Sequence, residues 1–323
     1  MTIRKLEDFF ENTSNKTAIV IGDIMLDSYL FGDTSRQSPE APVKIFNIKE
    51  KKNNIGGAGN VACNLKSLGI KTFLFGFIGN DESGKKIHSI LKKNDIPISG
   101  VIMTNNPTTN KVRIIKKSTE SQLLRIDEEK INYKLIQQKK KLLKLIENEI
   151  YHTDFIIIQD YNKGLLDENF IDKILLLGSK HKKPIMVDPK EINLLKYKNV
   201  KLIKPNLLEA ERMLSKKIII DNELLKKDLE EIKKKINCEY VLLTLGKDGL
   251  CIYGENVFYR EMGVNNKIVD VTGAGDTVIC LAAIGFCANL NIDEIAKVAN
   301  QAGFISCQNK GTYSIKKKDI NNI

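Results

Sequence analysis

Residues 17–23 read Thr-Ala-Ile-Val-Ile-Gly-Asp, a short apolar run that ends in glycine and aspartate. A continuous run of this length is typical of a strand buried on both faces of a parallel sheet. Comparable runs follow at residues 72–78, 155–158, 185–187, 200–203, 240–245 and 267–269. Segments with helical periodicity separate most of these runs, as at residues 60–68, 82–94 and 133–150. This alternation predicts an α/β fold with a mostly parallel central sheet that helices cover on both faces.

Two segments depart from this alternation. Residues 43–51 and 111–127 alternate apolar and polar side chains and carry few helix signals. Such a pattern predicts half-exposed antiparallel strands, which here would form a small β lid. The chain shows neither an internal repeat nor a low-complexity linker. We therefore expect residues 1–323 to form a single domain with lid segments near residues 34–52 and 108–127.

The composition is that of an ordinary globular protein. Of the 323 residues, 42% are hydrophobic and 28% are charged, which argues against wholesale disorder. Lysine and arginine exceed the acidic residues by 51 to 40, a net charge of +11 that fits either an anionic ligand or nucleic acid. Much of the lysine lies in predicted helices, as at residues 139–141 and 233–235, where solvated helix faces explain it. Because aromatic residues do not interleave with the basic ones, we expect no nucleic-acid partner.

Metal, redox and membrane functions find little support in the sequence. The six cysteines form no Cys-x-x-Cys pair, and three histidines are few for a histidine metal site. Residues 1–15 contain three acidic side chains and lack the apolar core of a signal peptide. The longest apolar run, residues 278–288, is too short to cross a bilayer. We expect a cytoplasmic protein without a membrane partner.

The predicted strands end in small or polar residues, which are Asp23, Asp160, Asp188, Asn206, Thr244 and Gly246. Ligands of open α/β sheets bind outside the carboxyl ends of the strands. Taken singly, each of these residues is explained equally well as one that ends a strand or starts a helix. As a set, they favour a ligand site at this edge of the sheet.

The segment 270–277, Asp-Val-Thr-Gly-Ala-Gly-Asp-Thr, precedes the apolar stretch. Its glycines let the backbone approach a ligand, and the first amides of the following helix would face an anion such as a phosphate. Asp276 would repel a bound phosphate, but it suits a base that takes a proton from an attacking hydroxyl. A helix-capping carboxylate explains Asp276 equally well. The segment is neither a Walker A loop nor a Gly-x-Gly-x-x-Gly fingerprint.

A second glycine cluster, Gly56-Gly57-Ala58-Gly59-Asn60, opens the predicted helix 60–68. It fits another phosphate-binding loop or simply a loop that caps a helix. Asn60 and Asn64 could hydrogen-bond the hydroxyls of a polyol.

Together these segments resemble the ribokinase-type carbohydrate kinases. Residues 56–60 look like the N-terminal signature of that family, and residues 270–277 are very similar to its C-terminal signature. Residues 204–209, Lys-Pro-Asn-Leu-Leu-Glu, resemble the segment between them. The order and separation of all three match over essentially the whole chain. The resemblance implies a ribokinase-like fold, ATP as the phosphoryl donor and Mg²⁺.

Five further segments resemble the heptose-phosphate kinases within this family, namely residues 22–29, 34–43, 122–127, 160–164 and 187–190. The implied reaction phosphorylates the anomeric hydroxyl of D-glycero-β-D-manno-heptose 7-phosphate, on the route to ADP-heptose and the lipopolysaccharide core. The C-terminal signature begins Asp-Val-Thr where Asp-Thr-Thr is commoner, although Thr272 is kept. We expect no second domain and therefore no nucleotidyl transfer from this chain.

The resemblance also implies roles for individual residues. Asp276 would be the base, and Gly273, Ala274 and Gly275 would form the anion hole. The expected sugar-phosphate ligands are Asp23, Arg36, Gly56, Gly57, Asn60, Asn64, Lys111, Arg113, Arg125, Asp160 and Lys163. The expected nucleotide ligands are Lys190, Lys204, Asn206, Glu209, Thr244, Gly246, Gly249 and Asn300.

Metal ions and oligomeric state follow from the same resemblance. Asn206 and Glu209 would hold Mg²⁺ through water, and K⁺ or another monovalent cation would bind near Asp270 and Thr272. A homodimer through the lid is expected. Each basic residue expected to bind the substrate phosphate is also explained as a solvent-exposed charge on a strand. The alternatives are another sugar or sugar-phosphate kinase of the family, or a catalytically silent sugar or nucleotide sensor.

Overall fold

A computed structural model describes residues 13–131, 134–264 and 268–320. Within them the strands are β1 Thr17–Gly22, β2 Ile24–Gln37, β3 Lys44–Gly57, β4 Lys71–Gly79, β5 Val101–Thr104, β6 Thr109–Lys116, β7 Ser121–Glu128, β8 Phe155–Gln159, β9 Ile185–Asp188, β10 Leu202–Ile203, β11 Tyr240–Thr244, β12 Leu250–Gly254 and β13 Val257–Glu261. The α-helices in the same ranges are α1 Ala58–Ser67, α2 Glu82–Lys93, α3 Ile136–Glu149, α4 Glu168–Lys180, α5 Leu207–Leu214, α6 Asn222–Ile236, α7 Ala274–Cys287, α8 Ile292–Cys307 and α9 Lys317–Ile320.

The main sheet has β1 near its centre. In the described ranges it contains nine strands in the order β13-β12-β11-β10-β9-β8-β1-β4-β5. Neighbours are parallel from β5 to β11, and the β11–β12 and β12–β13 pairs are antiparallel. Residues 18–21 of β1 are fully buried because apolar layers cover both faces. One layer includes α1, α2, α7 and α8, and the other includes α3 to α6. The predicted α/β architecture is confirmed.

A second sheet has the strand order β3-β2-β6-β7 in the part of the chain that the structure describes. The β2–β3 and β6–β7 pairs are antiparallel, as expected, but β2 and β6 pair in parallel. Both predicted segments therefore do form antiparallel pairs, but the sheet as a whole is mixed. The reason is that the chain leaves β3 through the main-sheet strands β4 and β5 before it returns as β6, and such a crossover joins parallel strands.

Two other sequence predictions need correction or fall outside the structure. Ile268 and Val269 do not form the expected strand, and Lys267 lies outside the described residues. The helix predicted over residues 133–150 begins at Ile136, while Tyr133 is not among the described residues. Residues 1–12, on which most of the N-terminal prediction rests, are also outside them.

The topology brings five segments together at one edge. The carboxyl ends of β1, β8 and β9 lie side by side, because β8 pairs with both neighbours in parallel. The amino-terminal ends of α1 and α7 meet at this edge, where a side chain of α1 hydrogen-bonds one of α7. Among the described helices, none combines the length and the apolar character needed to cross a membrane.

Candidate active site

Asp276 lies in the first turn of α7, and its side chain is buried with 2% exposure. Three donors hold its carboxylate. Asn60 Nδ2 donates to Oδ2 at 2.7 Å, while Gln159 Nε2 and the Tyr161 hydroxyl donate to Oδ1, each at 3.0 Å. The residue therefore does more than cap a helix, because donors from three different parts of the chain converge on it.

Burial raises the pKa of Asp276 from 3.8 to about 7. This value is the net result, because the negative charge of Asp188 also raises the pKa, whereas the hydrogen bonds from Asn60 and Tyr161 and the charge of Lys204 lower it. A carboxyl group whose pKa lies near neutrality is suited to accept and release a proton at physiological pH.

The glycines before Asp276 allow the backbone to pass close to its partners. Gly273 has φ +82°, and a Cβ at this position would lie 2.7 Å from Asn60 Nδ2. At Gly275 the space is more open, with Lys204 Nζ 3.4 Å from the position of a Cβ. The first-turn amides of α7 thus lie next to a lysine ammonium, which is an arrangement that favours a phosphoryl group.

A cavity of about 690 Å³ adjoins this turn. All eight expected nucleotide ligands line it, as do Gly273, Ala274 and Gly275. Apolar side chains such as Val278 and Phe304 line it too, which suits a heterocyclic base. Asn300 Nδ2 donates to the carbonyl of Met262 at 2.8 Å, so part of its hydrogen-bonding capacity is already used.

Asn206 and Glu209 form a reciprocal capping box at the start of α5. Asn206 Oδ1 accepts from the Glu209 amide and Glu209 Oε2 accepts from the Asn206 amide, both at 2.9 Å. Lys190 Nζ donates to Glu209 Oε1 at 2.6 Å. Both residues therefore shape the cavity wall, and their oxygens already have protein partners.

Asp23 is the central residue among those expected to bind the sugar phosphate. It follows β1 directly, is 5% exposed, and its Oδ2 accepts from the amides of Tyr161 and Lys163. Burial, together with the nearby charge of Asp160, raises its pKa to about 6.

Three expected sugar ligands are engaged within the protein instead. Asp160 accepts hydrogen bonds from the Asn162 amide, Asn193 Nδ2 and the Tyr197 hydroxyl, so it braces its own loop. Asn64 donates to the carbonyl and side-chain oxygens of Asn60 and accepts from an amide, so it positions Asn60 from behind. Gly56 makes room for a neighbour, because its Cβ would lie 2.3 Å from Asp27 Oδ2.

Gly57 is required for its backbone. Its φ is +59°, and a Cβ would lie 2.3 Å from the Asp23 carbonyl, which accepts from the Ala58 amide.

The expected phosphate-binding cations divide into two groups. Lys111 lies over the ring of Tyr161 at 5.3 Å, Lys163 pairs with Glu129 at 2.7 Å, and Arg113 pairs with Asp27 at 2.5 Å. Arg36 is exposed in the distal half of β2, and Arg125 is exposed in β7, where it pairs with Asp127. Tyr161 and Lys163 both donate to Asp23 through their amides, so Lys111 and Lys163 lie near this carboxylate. Arg113 lies beside Asp27, and the exposed Arg36 and Arg125 are not brought to Asp23.

Two residues of the site, Gln159 and Tyr161, were not among the sequence candidates, and a third, Asp188, was indicated only by its position at a strand end. Gln159 Nε2 also donates to Asp188 Oδ2 at 2.9 Å, and Asp188 Oδ1 pairs with the 3%-exposed Lys204 at 3.0 Å. Asp188 ends β9, so the strand-end pattern indicated it, whereas Gln159 and Tyr161 flank Asp160, the residue that the pattern favoured.

Asp270 and Thr272 form the turn that precedes α7. Asp270 Oδ1 accepts from the Thr272 amide and hydroxyl, and Oδ2 accepts from the Gly311 amide. This carboxylate therefore holds the glycine segment in place.

The sequence profile described as pfkB family carbohydrate kinase matches residues 15–319. The chain belongs to this family. It is accordingly a carbohydrate kinase, and the resemblance drawn from residues 56–60 and 270–277 is confirmed.

Relatives of this pfkB kinase include proteins named bifunctional protein HldE. The chain is 37% identical over 303 residues to those of Helicobacter acinonychis and Aliarcobacter butzleri. Each alignment covers 94% of this chain, but 65% and 63% of the respective relative. The chain thus spans slightly less than two thirds of the length of these relatives.

Solved structures confirm the ribokinase-like fold of this pfkB kinase. Phosphofructokinase-2 from Escherichia coli in complex with substrates and products superposes with a TM-score of 0.79 at 17% identity, over 95% of this chain and 98% of that one. Ribokinase from Thermotoga maritima superposes with a TM-score of 0.72 at 20% identity, with the same coverage.

Proposed function

We propose that this kinase transfers the γ-phosphoryl group of ATP to the anomeric hydroxyl of D-glycero-β-D-manno-heptose 7-phosphate. The product would be the 1,7-bisphosphate, on the route to ADP-heptose and the lipopolysaccharide core. The observation that carries the proposal is the position of Asp276, which directly follows the cavity-lining residues Gly273 to Gly275, accepts a hydrogen bond from Asn60 and has a pKa of about 7. The similarity to the HldE proteins and the five heptose-kinase-like segments support the choice of sugar.

In this reaction Asp276 accepts the proton of the sugar hydroxyl while the oxygen of that hydroxyl forms a bond to the γ-phosphorus. The bond from that phosphorus to the bridging oxygen breaks, and ADP leaves with the electron pair. The amides of Gly273, Ala274 and Gly275 stabilise charge on the transferring group, and the ammonium of Lys204 lies beside them. The protein therefore contributes to catalysis mainly by positioning the reactants and by electrostatic stabilisation.

Sugar recognition divides between two ends of the substrate. Asp23 and Asn60 bind hydroxyls of the sugar ring near the base. Lys111 and Lys163, with Arg113 behind them, attract the 7-phosphate. Burial lowers the pKa of Lys111, and a bound phosphate dianion would stabilise its charged form.

Mg²⁺ fits this site through water. Among the described residues no cluster of three or more His, Cys, Asp or Glu could hold a metal ion. Mg²⁺ commonly keeps several waters and takes its other ligands from one or two carboxylates and from substrate phosphates. Asp188 and Glu209 line the cavity and would hold its water shell, together with Asn206. When bound, the ion would neutralise charge on the phosphates.

A monovalent cation, most simply K⁺, would bind beside the turn formed by Asp270 and Thr272. One structural neighbour, phosphofructokinase-2 from E. coli, is described in complex with potassium. The carboxylate of Asp270 supplies oxygen atoms, which are suitable ligands for K⁺, next to the glycines proposed to bind the anion.

We also propose that the whole chain acts as one domain, with the four-stranded sheet as a lid through which two copies dimerise. The support is the exposed apolar surface of that sheet, which includes Leu124 and Ile126 at 55% and 45% exposure. A patch of this kind commonly marks an interaction surface.

A panel of sugars and sugar phosphates, with ADP release as the readout, tests the proposed activity. Turnover with heptose 7-phosphate is expected, and Asp276→Asn should lower kcat by about a thousandfold with ATP binding retained. Turnover with a ketose phosphate alone would identify a different sugar kinase of the family. A protein that binds sugar or nucleotide and turns over neither would be a sensor.

A further inference from the structure

The donors to Asp276 are distributed unevenly between its two oxygens. Oδ1 accepts from both Gln159 Nε2 and the Tyr161 hydroxyl, whereas among the described residues Oδ2 accepts only from Asn60 Nδ2. A carboxylate oxygen has room for about two good hydrogen bonds. Protein donors therefore occupy both acceptor positions of Oδ1, and it is Oδ2 that can accept one more hydrogen bond.

We propose that Tyr161 is a positioning residue for phosphoryl transfer. Together with Gln159 its hydroxyl occupies Oδ1, so that the proton of the attacking sugar hydroxyl is delivered to Oδ2. This inference rests on the proposed function and adds to it the atom that receives the proton and the residue that selects that atom.

Tyr161 is held firmly enough for this role. Its amide donates to Asp23 Oδ2 at 2.9 Å, and the next residue, Asn162, adopts φ +55°. Lys111 and Lys190 lie over its ring, with Nζ at 5.3 and 5.8 Å from the centroid. The same loop thus links the sugar-side carboxylate, Asp23, to the base.

The phenol remains a donor throughout the working pH range. Burial, with the negative charges of Asp276 and Asp188 close by, raises the pKa of Tyr161 well above its ordinary value. The other charged groups that act on Asp276 are Asp188, at the end of β9, and Lys204, which precedes α5. Cys280, on α7 itself, stays protonated because burial raises its pKa.

Tyr161→Phe removes the hydroxyl and keeps the ring. We expect kcat to fall by about tenfold, since the base is no longer fixed in orientation, while KM for each substrate changes by less than about threefold. The acid limb of the kcat–pH profile should move up by about one pH unit, because a donor that favours the carboxylate is lost. Gln159→Met, which removes the other donor to Oδ1, should move the limb in the same direction.

Tyr197→Phe is the matched control. Tyr197 is a buried tyrosine whose hydroxyl donates to a different carboxylate, Asp160 Oδ2, at 2.6 Å. Its loss should leave the acid limb where it is. An unmoved limb in Tyr161→Phe and in Gln159→Met, or an equal shift in Tyr197→Phe, would overturn the inference. Failure of the proposed function has a different signature, because the wild-type protein would then not phosphorylate the heptose phosphate.

Discussion

Asp276 has to be ionised to act as a base, yet its burial opposes the charge. The hydrogen bonds from Asn60 and Tyr161 and the charge of Lys204 favour the ionised form, and the pKa of Asp276 is about 7. The site therefore depends on residues that never touch the substrate. Asn64 illustrates this, since it fixes Asn60, which in turn donates to Asp276.

The pH dependence of the reaction follows from this balance. Below pH 7 the carboxyl of Asp276 in the free enzyme is mostly protonated and cannot accept a proton, so kcat/KM for the sugar should fall about tenfold per pH unit. Above pH 7 it should reach a plateau. Steady-state rates between pH 5 and 9 measure this limb. Asp23, whose pKa is about 6, also titrates. In Asp23→Asn the limb should nevertheless stay near pH 7, and its disappearance would assign the limb to Asp23.

Gly273 offers a second test at the level of one residue. In Gly273→Ala the new methyl would lie 2.7 Å from Asn60 Nδ2 and push this donor away from Asp276. We expect kcat to fall by about tenfold or more.

Gly246→Ala is the control for Gly273→Ala. Gly246 has φ +60°, so both variants carry similar backbone strain, but a Cβ at Gly246 meets no atom within 4 Å. Thermal unfolding should show a similar loss of stability in both variants. Rates at saturating ATP should remain near wild type only in Gly246→Ala, and a comparable kcat loss in both would refute the role assigned to Asn60.

At the level of elements, the sequence predicted most of the buried strands and the half-exposed strands β3, β6 and β7, but it missed β2. The runs at residues 155–158 and 185–187 correspond to β8 and β9, because a strand buried on both faces is apolar throughout. β2 was missed because its first half is buried and its second half is exposed, so it shows no single pattern. Gln159 and Tyr161 could not be singled out either, since their role depends on the meeting of β8 with α7, which are more than 100 residues apart.

The capping box of α5 gives a prediction for one element. Asn206→Ala removes the cap and frees Glu209, so the unfolding free energy should fall by about 1 kcal/mol. Because Glu209 lines the cavity, KM for ATP and the Mg²⁺ concentration needed for half activity should rise as well. In the control Asp221→Ala, an exposed cap of α6 is lost. It should cost similar stability without a change in KM. Equal KM effects in both would show that α5 does not shape the nucleotide site.

For the whole molecule, the surface of the four-stranded sheet is the feature that a single chain does not explain. Val112 pairs with Ile126 and Ile114 with Leu124, so these apolar residues share one face, while Arg113 and Arg125 pair on the other. All eight residues of β7 are exposed. The apolar face has no partner within the described residues, although the Arg113 side packs toward Asp27 and the site.

Dimerisation through this face is therefore expected to show in solution. Light scattering at micromolar concentration should give twice the mass of the chain, and Leu124→Lys should give the monomer, because a buried unpaired ammonium strongly opposes association. Leu176→Lys on α4, where the leucine is 71% exposed, is the control and should leave the mass unchanged. If the lid closes over the sugar only when a second copy supports it, the monomeric variant should also show a raised KM for the sugar phosphate, with KM for ATP unaffected. A wild-type protein that is monomeric and fully active would exclude the lid dimer and leave the exposed leucines without a role in assembly.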